Sequence, residues 1–566
     1  MNIRKIALLF LVASGAACSA VPERKDSTHA DLIIRNGVIY DGSGGEPLHA
    51  DLAVRGDRVV QVGDLAQWRA DQVIDAKGLA VAPGFVNMLS WANESLLIDG
   101  RALSDLKQGV TLEVMGEGMS MGPVNDSMRK VMIESQSDLH YDVNWTTLGG
   151  YLDTLVKKGI SVNVASMIGA ETARTYVLGN VDRVPTPDEL KQMQDLVRAA
   201  MREGALGVGS ALIYAPGFYA KTPEITALVA AAAESGGGYI SHMRSEGNTL
   251  LEALDELIGI AKATGAHAEV YHFKAAGEKN WPKMKKAIAR IEQARKDGLD
   301  VSANMYSYTA GATGLDAAMP PWVQEGGLDA WSQRLRDPKI RAKVIKEMRT
   351  PTDKWENLLL AAGSPDRVLL VGFKTDKLKP LTGKTLAQVA KMRGTSPEDT
   401  AIDLVLEDHF RVSTVYFLMS EQNVKLGLSQ PWVSLGSDEG GYAPEGAFLL
   451  SQPHPRAYGN VARFLGHYVR DEKVATLPDA IRRMTSLPAK NWKLTDRGCL
   501  HDGCFADVVV FDPATIADHA TYDKPQEFAT GVRDVFVNGQ QVLKDGEPTS
   551  ARPGQVVRGP GWAGSK

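Results

Sequence analysis

The chain has 566 residues, 44% hydrophobic and 23% charged, with a formal charge of −5. That length exceeds one ordinary core and asks for a large domain with a smaller companion. The mild charge gives no electrostatic reason to expect nucleic acid or an anionic membrane surface as a partner.

At the start, Arg4 and Lys5 precede an apolar run from Ile6 to Ala17, closed by Ser14, Gly15, Ala16 and Ala17. Residues 1–20 therefore read as an export signal, too short to anchor the chain as a membrane helix. Cys18 follows Gly-Ala-Ala, which resembles a bacterial lipobox, although Gly15 stands where Leu is usual. Lipidation of Cys18 and plain cleavage nearby are both open. Either predicts an exported protein, periplasmic or lipid-anchored to a bacterial outer membrane, with Cys18 the one route to a membrane tether.

The runs DLIIRNGVIYDG and ADLAVRGDRVVQVG then predict strands with turns at Asn36-Gly37 and Gly56-Asp57. The same texture returns in ADVVVFDP and VRDVFVNGQQVLKDGE. The two ends, 31–82 and 497–560, predict one small β-sandwich. Between them, over 83–496, strands alternate with helices. After the PGF strand the candidates are 109–115, 160–168, 205–212, 238–243, 268–274, 299–308, 368–373, 415–420 and 432–438. One intervening helix has Thr186 as N-cap, Pro187 at its first position and Glu189 completing a capping box. This alternation predicts an α/β fold, a (β/α)8 TIM-like barrel. The charged span from about 322 to 365 predicts a helical insertion. Whether Cys499 and Cys504 pair is left open, and without an adjacent histidine pair they make a poor zinc site.

In such a barrel, chemistry sits at the C-terminal ends of the strands. The polar residues there are Glu117, His242, His272, Lys274, Tyr306, Tyr308 and Asp438. One carboxylate, two imidazoles and a further carboxylate from different strands form the donor set of a zinc hydrolase. Each has a plainer reading: Glu117 could bind backbone amides in a Gly-rich turn, and Asp438 could be a turn residue. Two histidines ending consecutive strands, both flanked by charged residues, favour the metal. His454 reads as structural, and Arg456 as a partner for a carboxylate.

Together DLIIRNGVIYDG, the PGF strand, GVTLEVMGEG, SHMRSEG, HFKAAG, LGSDEGG, HPRAYG, RMTSLPAKN and FADVVVFDP resemble N-acyl-D-amino-acid deacylases of the metal-dependent amidohydrolase superfamily, over about residues 31–560. The resemblance implies hydrolysis of an amide bond in a small N-acyl-amino acid, D-configured. It implies His242 and His272 as zinc ligands and Asp438 as the proton-transfer carboxylate. Lys274, Arg456 and Tyr214 would lie near the substrate's carboxylate, with Tyr306 beside them. Two departures stand out. Leu89-Ser90-Trp91 replaces a His-x-His on the first barrel strand, and Glu117 falls where the family carries a cysteine ligand. The expectation is therefore one zinc ion, held by Glu117, His242 and His272. Trp91 either reaches the cavity or merely fills space. A dipeptidase or other amide or imide hydrolase is the nearest alternative, and a metal-free exported binding protein is the alternative the missing histidines suggest.

Overall fold

The structure is a computed structural model that describes residues 28–409 and 411–564; the predicted signal, Cys18 included, lies outside the described residues. Its larger body is a barrel of parallel strands. These are β1 (Phe85–Asn87), β2 (Val110–Met115), β3 (Asn163–Ser166, resuming at Ile168–Gly169), β4 (Gly207–Ala211), β5 (Gly238–His242), β6 (Ala268–Val270), β7 (Val301–Met305) and β8 (Val433–Leu435). Neighbours pair in parallel register around the ring. Closure comes from Met88 N donating to Leu435 O at 3.0 Å and Asp438 N donating to Leu89 O at 2.8 Å. Every residue of these strands is buried, as expected of strands covered by helices outside and packed side chains inside. The predicted capping box is present at the start of the helix Pro187–Arg202, which buries Met193, Val197, Ala200 and Met201.

The chain ends meet in one nine-stranded sheet. Val508–Phe511 pairs antiparallel with Ala80–Pro83 and joins the two ends. Side chains alternate along it: Val508 and Val510 pack with Leu32 and Leu52, while Val509 and Phe511 join the barrel core. Cys499 and Cys504 form a disulfide beside this sheet.

Two sequence expectations need correction. The candidate strands at 368–373 and 415–420 are not barrel strands. Val368–Gly372, Ser413–Tyr416 and Gly311–Gly314 form a separate antiparallel sheet between β7 and β8. The excursion from the barrel is thus larger than 322–365, which itself holds the helices Leu328–Arg336, Pro338–Met348 and Leu358–Ala362. The end of the span 497–560 also leaves the β domain. Gly554 N donates to Ile160 O and Val557 N to Val164 O, while Val164 N donates to Gln555 O, so the tail runs along the start of β3.

Candidate active site

Glu117 follows β2 in a turn that only glycine can flank. Gly116 has φ +103°, and a Cβ there would meet Met167 O at 2.4 Å. The turn aims Glu117 across the barrel mouth. Its Oε1 lies 3.1 Å from His242 Nδ1 and 2.8 Å from His272 Nε2. His242 ends β5. His272 follows β6 with φ +35°, its N–H donating to Asn304 Oδ1 at 2.9 Å. The donor atoms of Glu117, His242 and His272 lie within 4.8 Å of one another, and all three residues are buried.

This set fits a divalent cation with nitrogen and oxygen preference, zinc above all. The surroundings fit as well. His272 Nδ1 lies 2.8 Å from both Glu246 Oε1 and Lys274 Nζ, a polar backing that orients the ring with Nε2 toward Glu117. Burial alone would raise the Glu117 carboxyl, but His272 and His242 outweigh it and hold it well below the usual carboxylate range. Burial likewise opposes ionisation of Glu246, and Lys274 with both histidines overrides it. Burial and Lys274 push His272 down, yet Glu246 and Glu117 carry it up to about 9. A cation entering here therefore displaces a proton.

Asp438 follows β8 with φ +54°. A left-handed backbone in a non-glycine residue costs about 1–3 kcal/mol, and such strain gathers where function fixes a side chain. Asp438 and His272 both show it. Arg456, first in the helix Arg456–Arg463, holds Asp438 through Nη2, 2.8 Å from Oδ2 and 2.7 Å from the backbone oxygen. Burial pushes the Asp438 carboxyl up, and Arg456 works against it. The remaining Arg456 donors, Nε and Nη1, are buried without a hydrogen-bond partner, and the guanidinium lies 4.4 Å from the Tyr306 ring centre.

Trp91 reaches the cavity. Its Nε1–H donates to Glu117 Oε2 at 3.0 Å and to Asp438 Oδ1 at 3.2 Å. Tyr214 packs edge-on against His242 with ring centres 5.1 Å apart. Lys274 is nearby but already engaged, its Nζ 2.5 Å from Glu246 Oε1 and 2.8 Å from His272 Nδ1. Glu117, His242, His272, Asp438, Arg456, Lys274, Tyr214 and Tyr306 thus gather at this mouth, whereas the Tyr308 hydroxyl turns to Asp518 Oδ2 at 3.1 Å. His454 is structural: its Nε2 bonds Ala310 O at 3.0 Å and its Nδ1 accepts from Arg456 N at 3.0 Å.

Sequence reasoning missed Glu246 and Glu171. Glu246 lies four residues after His242 in the same SHMRSEG stretch, a spacing that could have flagged it. Glu171 opens the helix Ala170–Leu178 after β3, accepts from Ala211 N, and is pushed by burial up to about 7.

A barrel mouth with one carboxylate and two imidazoles converging is what metal-dependent hydrolases need, and a match over most of the chain decides the matter: the family model described as "Amidohydrolase family" covers residues 72–543. The chain belongs to the amidohydrolase family. Within it, D-aminoacylase of Alcaligenes xylosoxydans xylosoxydans is 32% identical over 94% of this chain and 99% of the relative. Among solved structures, an N-acyl-D-glutamate deacylase from Bordetella bronchiseptica, complexed with zinc and a phosphonate mimic of the tetrahedral intermediate, aligns with TM-score 0.76 and 30% identity over 94% of this chain and 100% of that one. A D-aminoacylase structure described by its binuclear metal centre, with one-metal activation and second-metal attenuation, aligns with TM-score 0.78 and 31% identity over the same shares.

Proposed function

We propose that this amidohydrolase is a zinc-dependent deacylase of N-acyl-D-amino acids that works with one ion. The observation that carries the reading is the convergence of ligand atoms from Glu117, His242 and His272 within 4.8 Å of one another, with Asp438 tied to the same group through Trp91. The deacylase names of the relatives, matched over nearly the whole chain, support the substrate class.

Glu117, His242 and His272 would hold the ion. When bound, zinc supplies Lewis acidity that polarises an amide carbonyl and acidifies water. Asp438 takes the proton that the attacking water gives up and returns it to the leaving nitrogen, so the free amine departs neutral. Arg456 fixes the direction of the Asp438 carboxylate. Its two unpartnered donors, Nε and Nη1, suit the carboxylate of an N-acyl-amino acid. Lys274 shares that task only when Glu246 releases it. Tyr306 supports Arg456 through its ring face, and Tyr214 fixes the His242 ring edge-on. Holding the carboxylate at one point and the amide at another is what lets a site choose one enantiomer.

We also place the chain outside the cytoplasm, periplasmic or lipid-anchored through Cys18. The basic, apolar and small-residue order of residues 1–20 supports this, and so does a disulfide, which persists in oxidising compartments.

The deciding experiment is a screen of paired N-acyl-D- and N-acyl-L-amino acids with the zinc-replete protein. Preferential cleavage of D-substrates is expected. Equal or better turnover of the L-series, or cleavage of dipeptides alone, would replace this reading.

A further inference from the structure

Leu89 and Trp91 lie two residues apart in the segment that follows β1 at the barrel mouth. Leu89 is buried inside the barrel, Trp91 lies at the mouth, 39% exposed, with its indole N–H turned to the site, and neither offers a lone pair to a metal. Leu89 is 1% exposed and packs in one cluster with Val114, Ile240 and Tyr271. Trp91 carries an indole N–H, which donates and never accepts. That N–H is shared between Glu117 Oε2 at 3.0 Å and Asp438 Oδ1 at 3.2 Å. Two carboxylates aimed at one point repel unless something positive lies between them. Here the positive pole is the N–H. Glu117 is left with Oε1 turned to the histidines, and Asp438 is held by Arg456 on Oδ2 and by Trp91 on Oδ1.

We infer that Trp91 is a positioning residue that takes the place of a second metal ion. Its N–H bridges Glu117 and Asp438 as a second cation would, orients Asp438 for proton transfer, and with Leu89 closes the neighbouring metal position. The inference rests on the zinc-dependent reading above and adds to it what makes the centre mononuclear. It also implies a regulatory difference. The D-aminoacylase whose structure is described by second-metal attenuation has a position for that ion, whereas this chain, with indole between Glu117 and Asp438, is expected to be insensitive to excess zinc.

The test uses the full-length mature protein, loaded with zinc and freed of loose metal, with zinc counted by elemental analysis alongside steady-state kinetics. The wild-type chain is expected to hold one zinc even after incubation with a large excess, and to keep its turnover as zinc is added. Trp91→Phe keeps the ring and removes the N–H. It is expected to retain one zinc and a KM within about twofold, while kcat falls about tenfold or more, the range for losing a hydrogen bond to a charged group. The double variant Leu89→His with Trp91→His is expected to take up a second zinc and to become sensitive to excess metal. A Trp91→Phe enzyme with unchanged kcat removes the positioning role. A double variant that stays at one ion removes the exclusion role, and it does so even if Trp91→Phe fails to fold. Two zinc ions in the wild-type chain overturn the Trp91 assignment alone, whereas no zinc at all overturns the functional reading on which it stands.

Discussion

The barrel contains two buried glutamates with similar company and opposite consequences. Glu269, on β6, lies deep in the barrel, fully buried. Its Oε2 accepts from Ser302 Oγ at 3.0 Å and Trp492 Nε1 at 3.1 Å, its Oε1 accepts from Asn304 Nδ2 at 2.9 Å, and His267 Nε2 stands 3.5 Å away. Both oxygens of Glu269 are taken by protein donors, and His267 Nδ1 turns away from it to within 3.1 Å of Asp300 Oδ1, so the carboxylate has nothing left for a ligand. Glu117, at the mouth, also meets indole and imidazole, yet its neighbourhood is unfinished: His242 Nε2, Glu171 Oε2 and Arg456 Nε and Nη1 are buried without hydrogen-bond partners. Residue type does not separate structure from function here; completeness of the network does. Buried polar groups without partners are costly, so a cluster that keeps several of them is waiting for something to complete it.

The largest effects should come from the incomplete cluster. His272→Ala is expected to lose zinc on dialysis and to drop turnover by about a thousandfold or more. Asp438→Asn is expected to keep its zinc while kcat falls about a hundred- to ten-thousandfold. Full activity in Asp438→Asn would remove it as the proton carrier, and retained zinc in His272→Ala would dissolve the proposed centre. The complete cluster should respond in stability instead. Glu269→Gln turns an amide NH2 toward a group that already donates, and thermal melting is expected to show a loss of about 1–3 kcal/mol with kcat per folded molecule unchanged. A fall in kcat without a fall in melting temperature would erase the contrast between the two glutamates.

A smaller effect tests how dry these sites are. Burial pushes Glu113, Glu171, Glu356 and Glu439 up to about 7 from an ordinary 4.5. The folded state therefore binds more protons than the unfolded state between those values. The stabilising contribution is complete below about pH 4.5 and is lost as pH rises through about 7. Melting temperature of the metal-free protein should fall by roughly 5–10 °C between pH 5 and pH 7.5. A flat or rising profile would show that water reaches these carboxyls.

The barrel was legible because βα alternation leaves apolar runs at regular intervals, and the site was legible because strand ends place their next polar residues at the mouth. Glu117, His242, His272 and Asp438 are all within three residues of such an end. The runs at 368–373 and 415–420 misled for a physical reason: an antiparallel strand buried under the insertion carries the same apolar signal as a barrel strand. The indole bridge from Trp91 was only a possibility in the sequence, since its acceptors lie 26 and 347 residues away in the chain. Glu246 was visible only as a spacing, four residues after His242. It lies in a loop, and only the folded position of Lys274 and His272 shows that its carboxylate is engaged.

The antiparallel seam between Ala80–Pro83 and Val508–Phe511 constrains the order in which this molecule can be made. A ribosome must finish nearly the entire polypeptide before the N-terminal half of the β domain finds its neighbour, and the barrel receives its tail along β3 later still. Such long-separation pairing is slow to form. During synthesis the β domain therefore stays unfinished until its last strands emerge, and its N-terminal strands wait longest for their neighbour.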